Sequence, residues 1–319
     1  MTQTDEIRQL QEAARAVRQN ASLVIVGKEE VIDLLMVALL CEGHVLFEDV
    51  PGIGKTTLAK SLAKSLGCSF QRIQFTPDLL PSDITGITFY NQKMGEFEFR
   101  PGPLLAQFVL ADEINRATPR TQSALLEAME ERQITVERET LALPRPFIVI
   151  ATQNPVELEG TFPLPEAQLD RFLMRLRIDY PSQSEERLIL QRFREHQPLT
   201  ELQPVLAAER LQLLQGMIRR VRMEPALESY IVELVRATRH HNGIELGVSP
   251  RGTLALYRAS QAYAAIHGRA YVIPDDIKRV ARPVLSHRMI ATSQMRLHGR
   301  MIEQIIEEVL HSVAVPVEL

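Results

Sequence analysis

One segment constrains this chain more than any other: His44 to Thr57, reading HVLFEDVPGIGKTT, in which an apolar run enters a glycine turn and leaves as the start of a helix. Leu58, Leu62 and Leu66 continue it at helical spacing. Strand, glycine loop and helix in that order form a phosphate-binding loop. Gly52 and Gly54 let backbone N–H groups wrap a phosphate, the helix start adds positive dipole, and Lys55 reaches the outer phosphate oxygens. Thr56 supplies a hydroxyl for Mg²⁺. Pro51, Gly52, Ile53, Gly54, Lys55, Thr56 and Thr57 are therefore the expected nucleotide-binding residues. The pattern GxxxxGK[ST] has one departure, since Asp49 stands where the first glycine belongs.

A second apolar strand, Phe108 to Ala111, ends in Asp112 and Glu113. Such a pair suits metal-assisted hydrolysis: Asp112 holds the Mg²⁺ hydration shell and Glu113 polarises the attacking water. Two acids at a strand end commonly make only a solvated loop, but the upstream phosphate loop changes that reading. A third strand, Phe147 to Ala151, leads into Thr152-Gln-Asn-Pro, where Asn154 is placed to position the water. Arg171, in LDRF, and Arg251, in VSPR, are candidates for stabilising charge on the transferring phosphoryl group. Ser249 and Pro250 read as an N-cap and first helical residue, setting Arg251 in a first helical turn.

Around these motifs, His44–Phe47, Phe70–Phe75, Phe108–Ala111, Phe147–Ala151 and Leu176–Ile178 read as strands alternating with helices, hence an α/β fold with a mostly parallel covered sheet. Residues 87–100 and 134–143 break the alternation with period-two patterning and read as inserted hairpins. Beyond Pro181 the strand signal nearly vanishes. Helices are expected within 185–195, 206–221, 227–240 and 253–267, and a clear apolar face runs through Ile302, Ile305, Ile306, Val309 and Leu310. The chain thus divides into a nucleotide-binding core, 1–181, and a helical region, 182–319.

The whole series resembles the AAA+ ATPases, and EDVPGIGKTTLAKSLA, FRPGPL, ADEINRATPRTQSALLEAMEERQITV and ATQNPVELEGTFPLPEAQLDRF resemble the MoxR family. The resemblance is close over residues 23 to about 180 and looser across the helical remainder. It implies an αβα core with a parallel five-stranded sheet, an all-helical lid, ATP between core and lid, and a homo-oligomer, usually a hexameric ring. It also accommodates Asp49, because MoxR relatives dispense with that first glycine. The 87–100 hairpin is similar to the helix-2 insertion, and 134–143 to the hairpin before sensor 1. Carried over residue by residue, Asn154 is sensor 1, Arg171 the arginine finger reaching a neighbour's γ-phosphate, and Arg251 sensor 2. Arg116, in EINRA, falls at a subunit interface or in a simple salt bridge.

Composition narrows the remaining classes. The 319 residues carry 36 basic and 40 acidic side chains, for a net charge of −4, which gives no global attraction to nucleic acid or anionic lipid. The N-terminal MTQTDEIRQLQ lacks the basic start and apolar stretch of a signal peptide, and the longest apolar run, 31–41, contains Asp33 and falls short of a membrane span. A cytoplasmic protein without membrane insertion is expected. Cys41 and Cys68 lack metal or redox spacing and read as small core residues.

Three functions fit. The first is a chaperone-like ATPase that remodels or activates a protein client, with ATP and Mg²⁺ as cofactors and, by the family resemblance, a von Willebrand factor A-domain partner. The second is a nucleic-acid motor using the basic residues between Arg269 and Arg300, although a solvated helical face explains those residues better. The third is a scaffold that needs ATP binding without turnover.

Overall fold

A computed structural model of the chain describes residues 3–137, 139–154, 160–194, 197–297 and 301–316. Nine strands occur in its first part: β1 (Val45–Glu48), β2 (Phe70–Gln74), β3 (Gly86–Asn91), β4 (Glu96–Pro101), β5 (Phe108–Asp112), β6 (Gln133–Val136), β7 (Glu139–Ala142), β8 (Ile148–Gln153) and β9 (Met174–Leu176). Five of them form one sheet in the order β2-β5-β8-β1-β9, and every pairing is parallel. Parallel strands need both faces covered. The apolar side chains of β1, β5 and β8 accordingly divide between two cores, with Phe47, Leu110 and Ile150 in one and Leu46, Val109 and Val149 in the other.

The two interruptions are hairpins, as the alternation implied. β3 pairs antiparallel with β4, and β6 with β7. The last core strand begins two residues earlier than the Leu176–Ile178 expectation. Arg175 hides it: this half-buried strand residue carries a charge and is held by Glu48 and Glu303 at 3.2 Å each.

Helices α1 (Gln3–Ser22), α2 (Glu29–Leu40) and α3 (Lys55–Ser65) cover one face. Nine of the twelve residues of α2 are buried, and its one buried acid, Asp33, meets Arg18 of α1 at 2.7 Å. Of the later helices, Ala208–Met217, Pro225–His240, Pro250–Ile266 and Pro274–Leu285 join the same apolar cluster as α1–α3, whereas Gln183–Phe193 buries none of its residues. The described helical region also carries a short antiparallel pairing of Ile244–Leu246 with Ile290–Ala291 and an isolated parallel bridge between Arg222 and Tyr271. Both cysteines are half-buried, and burial pushes each thiol up to about 12, as inert packing groups require.

Two polar residues hold the sheet from opposite ends. At the entrance to β1, buried His44 accepts the Val149 N–H through Nδ1 at 2.9 Å and donates from Nε2 to the Met129 carbonyl at 3.1 Å. At its exit, buried Asp49 accepts the Ile178 N–H at 2.6 Å. The residue that departs from the glycine pattern therefore ties the segment following β9 to the start of the phosphate loop.

Asp49→Ala leaves the Ile178 N–H without its acceptor, and the expected loss is about 1–3 kcal/mol in denaturant unfolding; unchanged stability would contradict this role. Burial lowers the His44 pKa to about 3, so the fold favours its neutral form. That contribution is complete above the ordinary histidine range and is lost as pH falls from about 6.5 towards about 3. Stability should therefore decline between about pH 7 and about pH 5, and more shallowly in His44→Asn; equal slopes would show that His44 is not responsible.

Candidate functional site

Because the sheet is parallel, β1, β5 and β8 deliver their C-terminal ends to the same edge. The loop after β1 supplies Pro51 to Gly54, and α3 opens at Lys55. Gly52 and Gly54 have φ of 86° and 94°, in the left-handed region that glycine occupies without strain. A Cβ added at either would meet nothing within 4 Å, so the loop's inner surface is an open cradle of backbone. Lys55 Nζ donates to the carbonyls of Asp49 at 2.8 Å and Val50 at 3.0 Å, curled over the loop that a phosphate would occupy. Burial lowers the Lys55 pKa, opposed by Asp49, Asp112 and Glu113.

Across the cradle stand the ends of β5 and β8. Thr152 Oγ1 donates to Asp112 Oδ1 at 2.6 Å and accepts the Glu113 N–H at 2.8 Å. Glu113 itself has φ 58° and ψ 49°, a left-handed conformation that costs a non-glycine residue of order 1 kcal/mol. The Thr152 bond stabilises that turn. Pro51, Gly52, Gly54, Lys55, Thr56, Thr57, Asp112, Glu113 and Asn154 line one cavity of about 350 Å³. Asn154 is buried against it, while Pro155 of the same segment lies outside the described residues.

Two side chains on β2, Arg72 and Gln74, escaped the sequence reading. Arg72 Nη2 lies 2.6 Å from Asp112 Oδ2 and 2.7 Å from Gln74 Oε1, and Gln74 Nε2 donates to Glu113 Oε2 at 2.7 Å. Both β5 acids are thereby held from the neighbouring strand. The alternation of FQRIQ was visible, but only the pairing of Gln74 with Asp112 places these side chains at the site. Arg116 also approaches Glu113 within its own chain, with Nε 3.2 Å from Oε2.

Ile53, Thr57 and the glycines also border a second, largely apolar cavity of about 430 Å³, with Val24, Ile25, Ile178, Tyr180, Ile189 and Phe193 in its wall. It adjoins the phosphate cradle through Pro51, Gly52, Gly54 and Thr57. A flat heteroaromatic ring on one side and a phosphate chain on the other match this polarity division.

Arg171 and Arg251 belong to neither cavity lining. Arg251 instead meets Glu130 at 2.6 Å, near the end of helix Pro119–Glu131. Ser249 occupies the N-cap position, yet its hydroxyl donates to Asp170 at 2.9 Å and makes no cap bond to its own helix. The sequence expectation for the helix start thus holds in position but not in hydrogen bonding.

The donor set bears on the cation. Among the described residues no group of three or more His, Cys, Asp or Glu side chains could hold a metal ion. A threonine hydroxyl and one or two carboxylates fit Mg²⁺, which is usually held jointly with substrate phosphates and water. No helix of the described residues is long and apolar enough to cross a membrane.

Comparison with known proteins agrees with this geometry. Residues 44–174 match the family described as ATPase family associated with various cellular activities (AAA), and residues 236–309 match the AAA lid domain. YeaC of Bacillus subtilis (strain 168) is 53% identical, with 94% of each chain covered. Chaperone MoxR1 of Mycobacterium tuberculosis is 42% identical over 92% of this chain and 80% of that one. A crystal structure of a candidate ATPase from Cytophaga hutchinsonii superposes with a TM-score of 0.92 at 39% identity, covering 98% of this chain and 97% of its own. On the matched loop, strand ends and lid, this chain belongs to the MoxR family of AAA+ ATPases.

Proposed function

We propose that the chain hydrolyses ATP to ADP and phosphate and uses that cycle to remodel or activate a protein client. The observation carrying this reading is the convergence of the glycine cradle, Lys55, Thr56, Asp112, Glu113 and Asn154 on one cavity. The adjoining apolar cavity is the proposed seat of the adenine ring. Thr56 and Asp112 would hold Mg²⁺, whose charge when bound offsets negative charge on the transferring phosphoryl group. Lys55 leaves the Asp49 and Val50 carbonyls for phosphate oxygens. Glu113 takes the proton of a water held against Asn154, while Gln74 and Arg116 hold the carboxylate through Oε2.

Arg171 and Arg251 are proposed to serve a neighbouring subunit's nucleotide, because neither borders the cavity of its own chain. For Arg251 this departs from a lid residue reaching the nucleotide of its own subunit. A finger supplied in trans makes turnover depend on assembly, which is the reason for proposing a homo-oligomeric ring, hexameric by family likeness. Core and lid are proposed to divide at residues 181 and 182, and the chain to work in the cytoplasm.

The client reading draws on the hairpin of β3 and β4, which exposes Phe97 at 74%, Met94 at 70% and Tyr90 at 54%. Large apolar side chains on a projecting element commonly mark a protein-binding surface. The chaperone name of the 42% identical relative points the same way, and a von Willebrand factor A-domain protein is the proposed partner. The nucleic-acid alternative is less favoured, because three of its basic residues are engaged by acids: Arg269 is bound to Asp276, Arg279 to Glu30 and Arg288 to Asp170. Lys278 and Arg282 border another cavity, and the Arg296 side chain and Arg300 lie outside the described residues.

Glu113→Gln should retain ATP binding and lose about 10²–10⁴-fold in turnover, measured by fluorescent-nucleotide titration and phosphate release. If that variant keeps the biological activity, an ATP-bound scaffold explains the protein better than a remodeller. Arg171→Ala should bind ATP normally yet lose about 10³-fold or more in turnover; wild-type turnover would remove the finger assignment. With ATP, Glu113→Gln should retain a von Willebrand factor A-domain partner in a pull-down, and recovery of assembled rings without such a protein would count against that partner.

A further inference from the structure

Asp170, immediately before Arg171, uses both carboxylate oxygens on the helical region. Oδ1 accepts Arg288 Nε at 2.7 Å, and Oδ2 accepts the Ser249 hydroxyl at 2.9 Å. Arg288 ends the turn after helix Pro274–Leu285, and its side chain is only 2% exposed. Its remaining guanidinium nitrogens wrap the same segment, donating to the carbonyls of Asp170 at 3.3 Å, Phe172 at 2.6 Å and Leu173 at 3.1 Å, and to that of Val284. His287 adds a bond from Nε2 to the Phe172 carbonyl at 2.9 Å.

The first turn of helix Pro250–Ile266 is shaped around this guanidinium. A Cβ added at Gly252 would lie 2.9 Å from Arg288 Cδ and 2.3 Å from Val248 Cγ1, so that turn is bare where Arg288 passes. Ser249, at the helix N-cap, spends its hydroxyl on Asp170 and none of it on its own helix. Burial lowers the Arg288 pKa, Asp170 opposes that shift, and Arg251, two residues after Ser249, lies close enough for its charge to add to the lowering.

A buried ion pair is a poor way to gain stability, because well-packed apolar groups of similar volume often do as well or better. What it supplies is geometry: five donors in a fixed fork define one position of the segment they hold. We infer that Arg288 and Asp170 are positioning residues that lock the Arg171 segment to the Arg251 helix, so both arginines meet a neighbour's nucleotide as one rigid unit. Movement of either arginine towards phosphate then carries the helical region with it, linking nucleotide state at one subunit to lid position in the next. This rests on the proposed trans roles of Arg171 and Arg251.

The test is subunit mixing. Arg288→Lys keeps the charge and loses the fork, and Ser249→Ala removes one strand of the clamp from a milder position. Each alone should bind fluorescent ATP with unchanged Kd, and Arg288→Lys should lose about 10²-fold in turnover, the scale of an ångström-sized misplacement. Adding Glu113→Gln subunits, whose own turnover is about 10²–10⁴-fold reduced but which carry intact arginines, should restore turnover to Arg288→Lys, to Ser249→Ala and to the reference variant Arg171→Ala. If Arg171→Ala is restored and the other two are not, the clamp is wrong while the trans finger stands. Failure to restore Arg171→Ala itself would overturn the trans reading beneath it. Wild-type turnover in both clamp variants would also refute the proposal, and where Arg288→Lys does not fold, Ser249→Ala decides the same question.

Discussion

Everything at this site depends on β1, β8 and β5 lying parallel and in register. Ala111 pairs with Ala151 and Phe47 with Thr152, so the residues following each strand emerge side by side. Antiparallel pairing of any one strand would send its polar end to the opposite edge. The buried side chains of β1, β5 and β8 hold that register from both faces, since a slip of one residue would exchange their two cores. Thr152 then ties the exits together at atomic distance, with one oxygen serving the Asp112 carboxylate and the Glu113 N–H.

The arrangement divides the chemistry unevenly. The proposed binding groups for phosphate and for an apolar ring line two adjoining cavities of one chain, and the acid pair and Asn154 border the first of them. Of the two arginines suited to phosphoryl charge, Arg251 is held by Glu130, and Asp170, the residue before Arg171, is held by Ser249 and Arg288. Glu113 is occupied by Gln74 and Arg116, and Asp112 by Arg72. In a lone chain built this way the acids of the proposed nucleotide site are engaged, Lys55 and Arg72 border the cavity, and Arg171 and Arg251 lie outside it. Such an arrangement fits the proposed dependence of turnover on assembly.

Legibility in the sequence tracked how local each signal is. The phosphate loop and the acid pair are continuous segments with strand and helix context, so Gly52, Lys55, Asp112 and their neighbours were readable one by one. β9 was misplaced by two residues because Arg175 replaces an apolar side chain with a charge satisfied by Glu48 and Glu303, residues distant in the chain. Arg72 and Gln74 were invisible for a related reason: nothing in FQRIQ says that β2 lies beside β5. Arg251 was found through its helix start, but its partner, Glu130, follows from tertiary packing alone. Asp49 is the reverse case, a departure from a motif whose physical purpose appears once Ile178 is seen donating to it.

The claim that one chain carries only part of a working site is tested most directly by turnover per subunit as a function of concentration, with assembly state followed by sedimentation velocity in the same samples. Turnover per subunit should rise in step with the assembled fraction and be slow in the single-subunit species, while nucleotide affinity stays constant. Single subunits turning over as fast as assembled ones would contradict the account.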